Sequence, residues 1–252
     1  MKFCGNPTSN LLRVLFWRGY KGFEAKEYDV FVEVARQSDC LLDIGANIGY
    51  YSILAKLFKN NICVHAFEAM PDAKTYLDKN ISLNNFEEIK THMLALSNQN
   101  GAASFFSSRN PRFPKIKEHL FGDNSLDPSF PHKAYEQIEI KVITQKLDTF
   151  VEQNQLGPVI DFVKMDTEGS ENLVLEGAEE TLAKFQPIVM CEIVKDCIEK
   201  EIETIFKRHN YIFFRLINGK LVESPNLFVE SGKEDYFMAT EKYVTRLKKF
   251  IV

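Results

Sequence analysis

Tryptophan occurs once in the 252 residues and histidine only five times. Cysteine is scarce as well. Cys4, Cys40, Cys63, Cys191 and Cys197 form an odd set without a C-x-x-C pair, which argues against a disulfide framework and against paired zinc ligands. Three of them sit in or beside apolar runs, as expected of a reduced, cytoplasmic chain. Positive charge is not in excess: the net charge is -4, and no Lys/Arg cluster interleaves with aromatics as a nucleic-acid groove requires. Nucleic acid is therefore not an expected partner. Long apolar runs are missing too. Leu11 to Trp17 is interrupted by Arg13, too short for a signal sequence or a bilayer span, and reads as an amphipathic first helix packed on the domain, with a membrane-surface anchor as the less favoured alternative. What the chain does have is a hydrophobic content of 45%, enough at this length to bury one large α/β core.

Apolar runs of strand length alternate with helical patterns, the signature of βαβ units and a mostly parallel, doubly wound sheet. The runs are Cys40 to Ile44, Ile62 to Phe67, Ile89 to Leu96, Val159 to Met165 and Ile188 to Ile193. Several are continuous rather than alternating, as strands covered on both faces must be. Helical periodicity marks Tyr50 to Phe58, Asp72 to Leu83, Glu171 to Phe185 and Cys197 to His209. After these come YIFFRLI, NLFVE and YFMAT with no helix between them, so the sheet is predicted to finish antiparallel. The expected organisation is a helical segment over 1–36 packed on a single domain over 37–252. Ser107 to Lys133 carries four prolines and is too long for an ordinary connection. An irregular lid or substrate insertion is expected at about 105–135.

The stretch LLDIGANIGYYS, residues 41–52, puts Gly45 and Gly49 where the first strand turns into a helix. Glycine there permits a tight turn and lets backbone approach a ligand. A dinucleotide fingerprint would read G-x-G-x-x-G, but Asn47 stands in place of the second glycine. NAD is disfavoured, with a nucleotide-dependent oxidoreductase kept as an alternative on the same fold. Asp43 brings a carboxylate to a helix start that itself favours an anion. That combination suits a ligand carrying both an ammonium and a carboxylate, the methionine end of S-adenosylmethionine. Glu68 closes the second strand about 20 residues downstream, where an acid accepts both ribose hydroxyls. Its competing reading is a solvated acid before the helix at Pro71.

LLDIGANIGYYS, VHAFEAMPDAKTYLDKNISLNN, NSLDP, KLDTF, VKMDTEGSENLVLEGAEETL and PIVMCEI, in this order, resemble the FkbM-type S-adenosylmethionine-dependent methyltransferases. The resemblance covers Cys40 to Ile193. It implies a class I Rossmann-like fold and methylation of a hydroxyl, often on a sugar or secondary metabolite. The acceptor is then a small molecule or glycan precursor, and a composition rich in Lys, Asn, Phe and Ile suits a bacterial source. Cofactor contacts are expected from Asp43, Gly45, Asn47, Gly49, Glu68 and Leu96. Ser125, in NSLDP, matches a serine of the family; it contacts a ligand or, on the competing reading, forms the turn before Pro128.

Methyl transfer to a hydroxyl needs the two reactants positioned and the proton removed. Strand ends supply the candidates: Asp166 and Glu168 follow the fourth run and Glu192 the fifth, all facing the crevice of Asp43 and Glu68. Lys164 lies two residues before Asp166, on the same strand face, where a buried lysine needs a partner. It is either part of the catalytic set or an ion pair holding the strand end. Glu168 is expected to meet the substrate or to charge the first turn of the following helix. His119 and His132 in the lid are candidate bases; His65, His92 and His209 read as structural. A metal on Asp166 and Glu192 is not favoured, and carboxylates alone would suit Mg or Mn. A non-catalytic partner-binding module is the remaining alternative.

Overall fold

The computed structural model describes residues 1–109, 111–113, 115–116, 120, 122, 124–128, 135–195 and 198–252. His119 and His132 lie outside the described residues. The chain opens with α1 (Asn10–Arg18) and α2 (Tyr28–Gln37), then alternates β1 (Cys40–Ile44), α3 (Tyr50–Phe58), β2 (Cys63–Phe67), α4 (Pro71–Leu83) and β3 (Lys90–His92). A short β4 (Ala95–Leu96) and a long hairpin of β5 (Gly101–Arg109) and β6 (Glu136–Gln145) interrupt the alternation. It resumes with α5 (Leu147–Gln153), β7 (Phe162–Met165), α6 (Glu171–Glu176), α7 (Glu179–Phe185), β8 (Ile188–Val194) and α8 (Glu199–Arg208). Strands β9 (Ile212–Ile217), β10 (Lys220–Ser224) and β11 (Lys233–Ala239) follow.

In the main sheet the order is β10-β9-β11-β8-β7-β1-β2-β3. Pairings from β8 through β3 are parallel, whereas β11 runs antiparallel to both β8 and β9, and β10 antiparallel to β9. The sheet is thus mostly parallel with an antiparallel finish, as the sequence predicts. β1, reading CLLDI, sits near the middle and is buried at every position. Leu41 and Leu42 belong to different apolar layers because successive side chains on a strand point to opposite faces. One layer joins Phe31 of α2 and Leu54 of α3 to Phe162; the other joins Phe150, Leu182 and Phe206 beneath α5, α7 and α8. Each such side chain contributes about 1.5–3 kcal/mol when fully buried.

Several boundaries differ from the sequence reading for identifiable reasons. Ile89 to Leu96 divides, β3 joining the main sheet and β4 a three-stranded sheet of order β4-β6-β5. Glu171 to Phe185 is two helices, because Gly177 ends α6 against Ser97, whose carbonyl oxygen a Cβ would meet at 2.1 Å. NLFVE is no strand: the Tyr236 hydroxyl accepts from Phe228 N at 3.0 Å and donates to its O at 2.7 Å, satisfying backbone that a ladder would otherwise use. Between β9 and β10, Asn218 and Gly219 both take positive φ, the backbone of a tight hairpin turn.

The first residues of the expected insertion extend β5, which pairs with β6 from Gly101↔Thr144 to Arg109↔Glu136. The remainder is the connection at the tip of that hairpin. Ser125 and Phe106 exchange backbone hydrogen bonds of 3.0 and 2.8 Å, folding the connection back onto β5. Leu120 N donates to Thr8 Oγ1 at 2.8 Å, tying it to the start of the chain.

Candidate functional site

A cavity of about 700 Å³ opens at the carboxyl ends of β1, β2, β4, β7 and β8, within the ~300–1,000 Å³ range of small-molecule sites. Gly45, Asn47, Glu68 and Leu96 line one part of it; Lys164, Asp166, Glu168 and Glu192 line another. Asp43, Gly49 and Ser125 are not on its wall.

The turn after β1 owes its shape to left-handed backbone at Gly45 (φ 76°), Asn47 (φ 50°) and Gly49 (φ 92°). Packing enforces the glycines. A Cβ on Gly45 would lie 1.9 Å from the Asp166 carbonyl oxygen, and one on Gly49 would lie 2.7 Å from Leu77 Cδ1. Gly45 N and Ala46 N both donate to Phe67 O, at 3.0 and 2.9 Å, fastening the turn to the end of β2. One residue on, Glu68 accepts from Asn47 N through Oε2 and from Met70 N through Oε1, each at 2.8 Å. Burial pushes its carboxyl up to about 7 against the pull of those two bonds. Each oxygen keeps a further lone pair, and the side chain reaches the cavity wall.

Asp43 lies behind that wall, fully buried and in register with Lys164 on β7. Its Oδ2 accepts from Ser52 Oγ at 2.6 Å, while Oδ1 has no partner among the described residues. Desolvation raises its carboxyl, and Lys164 and Ser52 work the other way. The Lys164 ammonium is 3.3 Å from Asp166 Oδ2 and 5.0 Å from the centre of the Tyr51 ring. Desolvation opposes its charge, but Asp166, Asp43 and Glu24 together hold it protonated. The second oxygen of Asp166 is buried without a hydrogen-bond partner among the described residues.

Glu24, which sequence reasoning missed, completes this cluster from the N-terminal segment. Its Oε2 accepts from the Tyr51 hydroxyl, its backbone is left-handed at φ 43°, and its side chain lines the cavity. Surrounding protein pushes the carboxyl up to about 7, with Lys164 lowering it. No spacing rule links an acid before α2 to strand ends in the sheet.

Past β7 the chain turns through Glu168 (φ 53°) and Gly169 (φ 87°). Glu171 holds this turn: it accepts from Thr167 N at 2.7 Å, Thr167 Oγ1 at 2.9 Å and Gly169 N at 3.0 Å. The local backbone is thus satisfied by Glu171, leaving Glu168 to face the cavity. There Lys233 of β11 donates to Glu168 Oε2 and Glu192 Oε2, both at 2.6 Å. Burial raises both carboxyls, Glu168 to about 8, and Lys233 lowers them. Asp166, Glu168 and Glu192 each offer one oxygen within 4.8 Å of the others. An all-oxygen set of this kind could hold Mg or Mn. Ser125 is buried, its Oγ 3.0 Å from Ser170 Oγ and accepting from Asp127 N at 3.0 Å. It anchors the connection whose neighbours Asn124 and Leu126 do line the cavity.

The wall fits S-adenosylmethionine by its chemistry: backbone at Gly45 to Asn47, an acid with spare lone pairs at Glu68, and an apolar surface from Phe67, Leu94 and Leu96. A family model described as methyltransferase FkbM domain matches residues 43–213. Methyltransferase sdnD of Sordaria araneosa is 27% identical over 156 residues, covering 56% of this chain and 60% of that protein. Methyltransferase 1 of Beauveria bassiana is 24% identical over 147 residues, covering 56% and 58%. The chain therefore spans less than two thirds of the length of these relatives. Methyltransferase FkbM from Methylobacillus flagellatus KT, a solved structure, aligns with a TM-score of 0.47 at 15% identity, over 79% of this chain and 43% of that one.

Proposed function

The chain belongs to the FkbM methyltransferase family, and we propose that it methylates a hydroxyl of a sugar, glycan precursor or related small molecule with S-adenosylmethionine as the donor. The observation that carries this reading is the placement of Asp166. It shares one cavity with Glu68, bonds Lys164 through one oxygen, and leaves the other buried without a partner among the described residues.

When bound, S-adenosylmethionine supplies a methyl group on a positively charged sulfur. Glu68 receives the ribose hydroxyls, and the Gly45 to Asn47 backbone lies along the ligand. The Asp166 carboxylate accepts the proton of the acceptor hydroxyl or orients it, while the Lys164 ammonium, 3.3 Å from its Oδ2, holds that carboxylate in place. A carboxylate in a water-poor site is a stronger acceptor than in bulk solvent, and such general-base help is typically worth 10²–10⁴ in rate. Leu94, Leu96 and Phe67 keep water from the donor side. If a divalent ion binds, Asp166, Glu168 and Glu192 are its ligands.

Incubation with S-adenosylmethionine and a panel of nucleotide sugars and glycans, read by mass spectrometry for the gain of one methyl, tests the assignment. Binding of S-adenosylmethionine without methyl gain on any hydroxylated acceptor would reject O-methylation. Preferential binding of NAD would reject the donor.

A further inference from the structure

Helix α1 leaves its outer side uncovered. Phe16 and Trp17 are 78% and 81% exposed, and their rings meet edge to face with centroids 5.0 Å apart, forming one apolar projection. Leu11, Leu12 and Leu15 of the same helix pack on the core, which fixes how the helix lies on the protein. Scattered single hydrophobics on a surface are ordinary; two adjacent large rings on a helix that buries none of its residues are not.

Charge says what covers them. The protein carries a net charge of -4, yet residues 1–23 hold Lys2, Arg13, Arg18 and Lys21 and no acid. Arg13, Arg18 and Lys21 are exposed, and Tyr20 is 40% exposed beside them. Arg13 and Arg18 share the helix with Phe16 and Trp17, and Lys21 follows three residues after its end. Nine residues rise only about 14 Å, against a hydrocarbon core of about 30 Å, so the helix cannot cross a bilayer. Aromatic rings prefer the headgroup level of a membrane, and Lys and Arg there are drawn to anionic lipid.

We propose that α1 docks this protein on an anionic lipid surface, with Phe16 and Trp17 entering the interface and Arg13, Arg18 and Lys21 facing the headgroups. Asn10, Leu11 and Arg13 of the same helix line the cavity, so docking brings the cavity alongside the lipid surface.

Trp17, the only tryptophan, reports the event by itself. With vesicles of mixed phosphatidylcholine and phosphatidylglycerol, its emission shifts to shorter wavelength and the protein sediments with the lipid. Phosphatidylcholine vesicles alone give neither, and added salt weakens both. Each basic residue near an anionic surface strengthens partitioning roughly fivefold, so Arg18→Glu combined with Lys21→Glu lowers it by more than about 25-fold. Phe16→Ser, with the far-ultraviolet circular dichroism of the parent, also weakens it. Unchanged emission and no sedimentation with anionic vesicles overturn the proposal. Equal sedimentation with both vesicle types overturns its electrostatic part. A concentration-dependent dimer that Phe16→Ser dissociates, without lipid binding, assigns the face to a second copy of the chain instead.

Discussion

Gly45 and Asp166 meet where neighbouring strands end, so closely that a Cβ on the glycine would sit 1.9 Å from the aspartate's carbonyl oxygen. The obstacle is backbone, which cannot swing aside as a side chain can. The turn after β1 and the acid proposed for chemistry are therefore one mechanical unit.

Gly45→Ala should accordingly cost stability and not only affinity. Left-handed backbone without glycine costs about 1–2 kcal/mol, and displacing the end of β7 adds to it. Urea unfolding should show a loss of about 2–4 kcal/mol. A variant as stable as the parent, with S-adenosylmethionine binding intact, would refute the contact's importance.

Glu68→Ala should weaken S-adenosylmethionine binding by about 2–3 kcal/mol in calorimetry, the scale of hydrogen bonds to a charged group. Because Asn47 N and Met70 N also lose their acceptor, a drop in melting temperature accompanies it. An unchanged dissociation constant would return Glu68 to a purely structural role in the turn.

Asp166→Asn keeps shape and removes charge, so kcat should fall by about 10²–10⁴ with cofactor affinity nearly intact. Chelation separates two mechanisms. Activity lost in EDTA and restored by Mg or Mn makes Asp166, Glu168 and Glu192 metal ligands; insensitivity to EDTA leaves direct work by the carboxylate. Wild-type turnover in both buffers would make Asp166 structural.

Glu24, raised to about 7, adds an ionisation close to neutrality beside Lys164 and Asp166. The parent's kcat/KM should climb as pH rises through that value, when Glu24 loses its proton. Glu24→Gln should flatten that limb and lower the plateau. Superimposable pH profiles would remove Glu24 from the working site.

Stability of the ligand-free protein should run the opposite way. Glu68 and Glu171 have an ordinary value of 4.5 when unfolded and about 7 when folded, so between these values the folded state binds more protons. Stability is greatest below 4.5 for these two groups and is lost as pH climbs through about 7. Melting temperatures across this range should decline; a flat or rising trend would contradict the burial of these acids.

The parallel half of the fold is legible because strands covered on both faces read as unbroken apolar runs, as CLLDI does. Glu68 and Asp166 are legible for a related reason, since strand ends of an open sheet converge on one crevice. Asp43 shows where that rule stops: it is on the right strand, but its side chain goes behind the wall to Ser52 and faces Lys164 through the register of β1 and β7. Glu24, Glu171 and Lys233 escape the reading altogether. Their roles depend on a helix start, a left-handed turn and an antiparallel strand arriving at one place, and no sequence spacing encodes such meetings. The β5–β6 hairpin was hidden because β6 alternates exposed residues with half-buried or buried ones along EQIEIKVITQ, with little apolar run to mark it.

Lys233 reaches Glu168 and Glu192 from β11, which the ribosome makes after every other strand of the two sheets. A growing chain thus presents Asp166, Glu168 and Glu192 before the ammonium that sits between two of them exists. Until then the cation that lowers the Glu168 and Glu192 carboxyls is missing from the mouth of the crevice. The electrostatic balance of the pocket therefore comes into being only once β11 has been made and laid between β8 and β9.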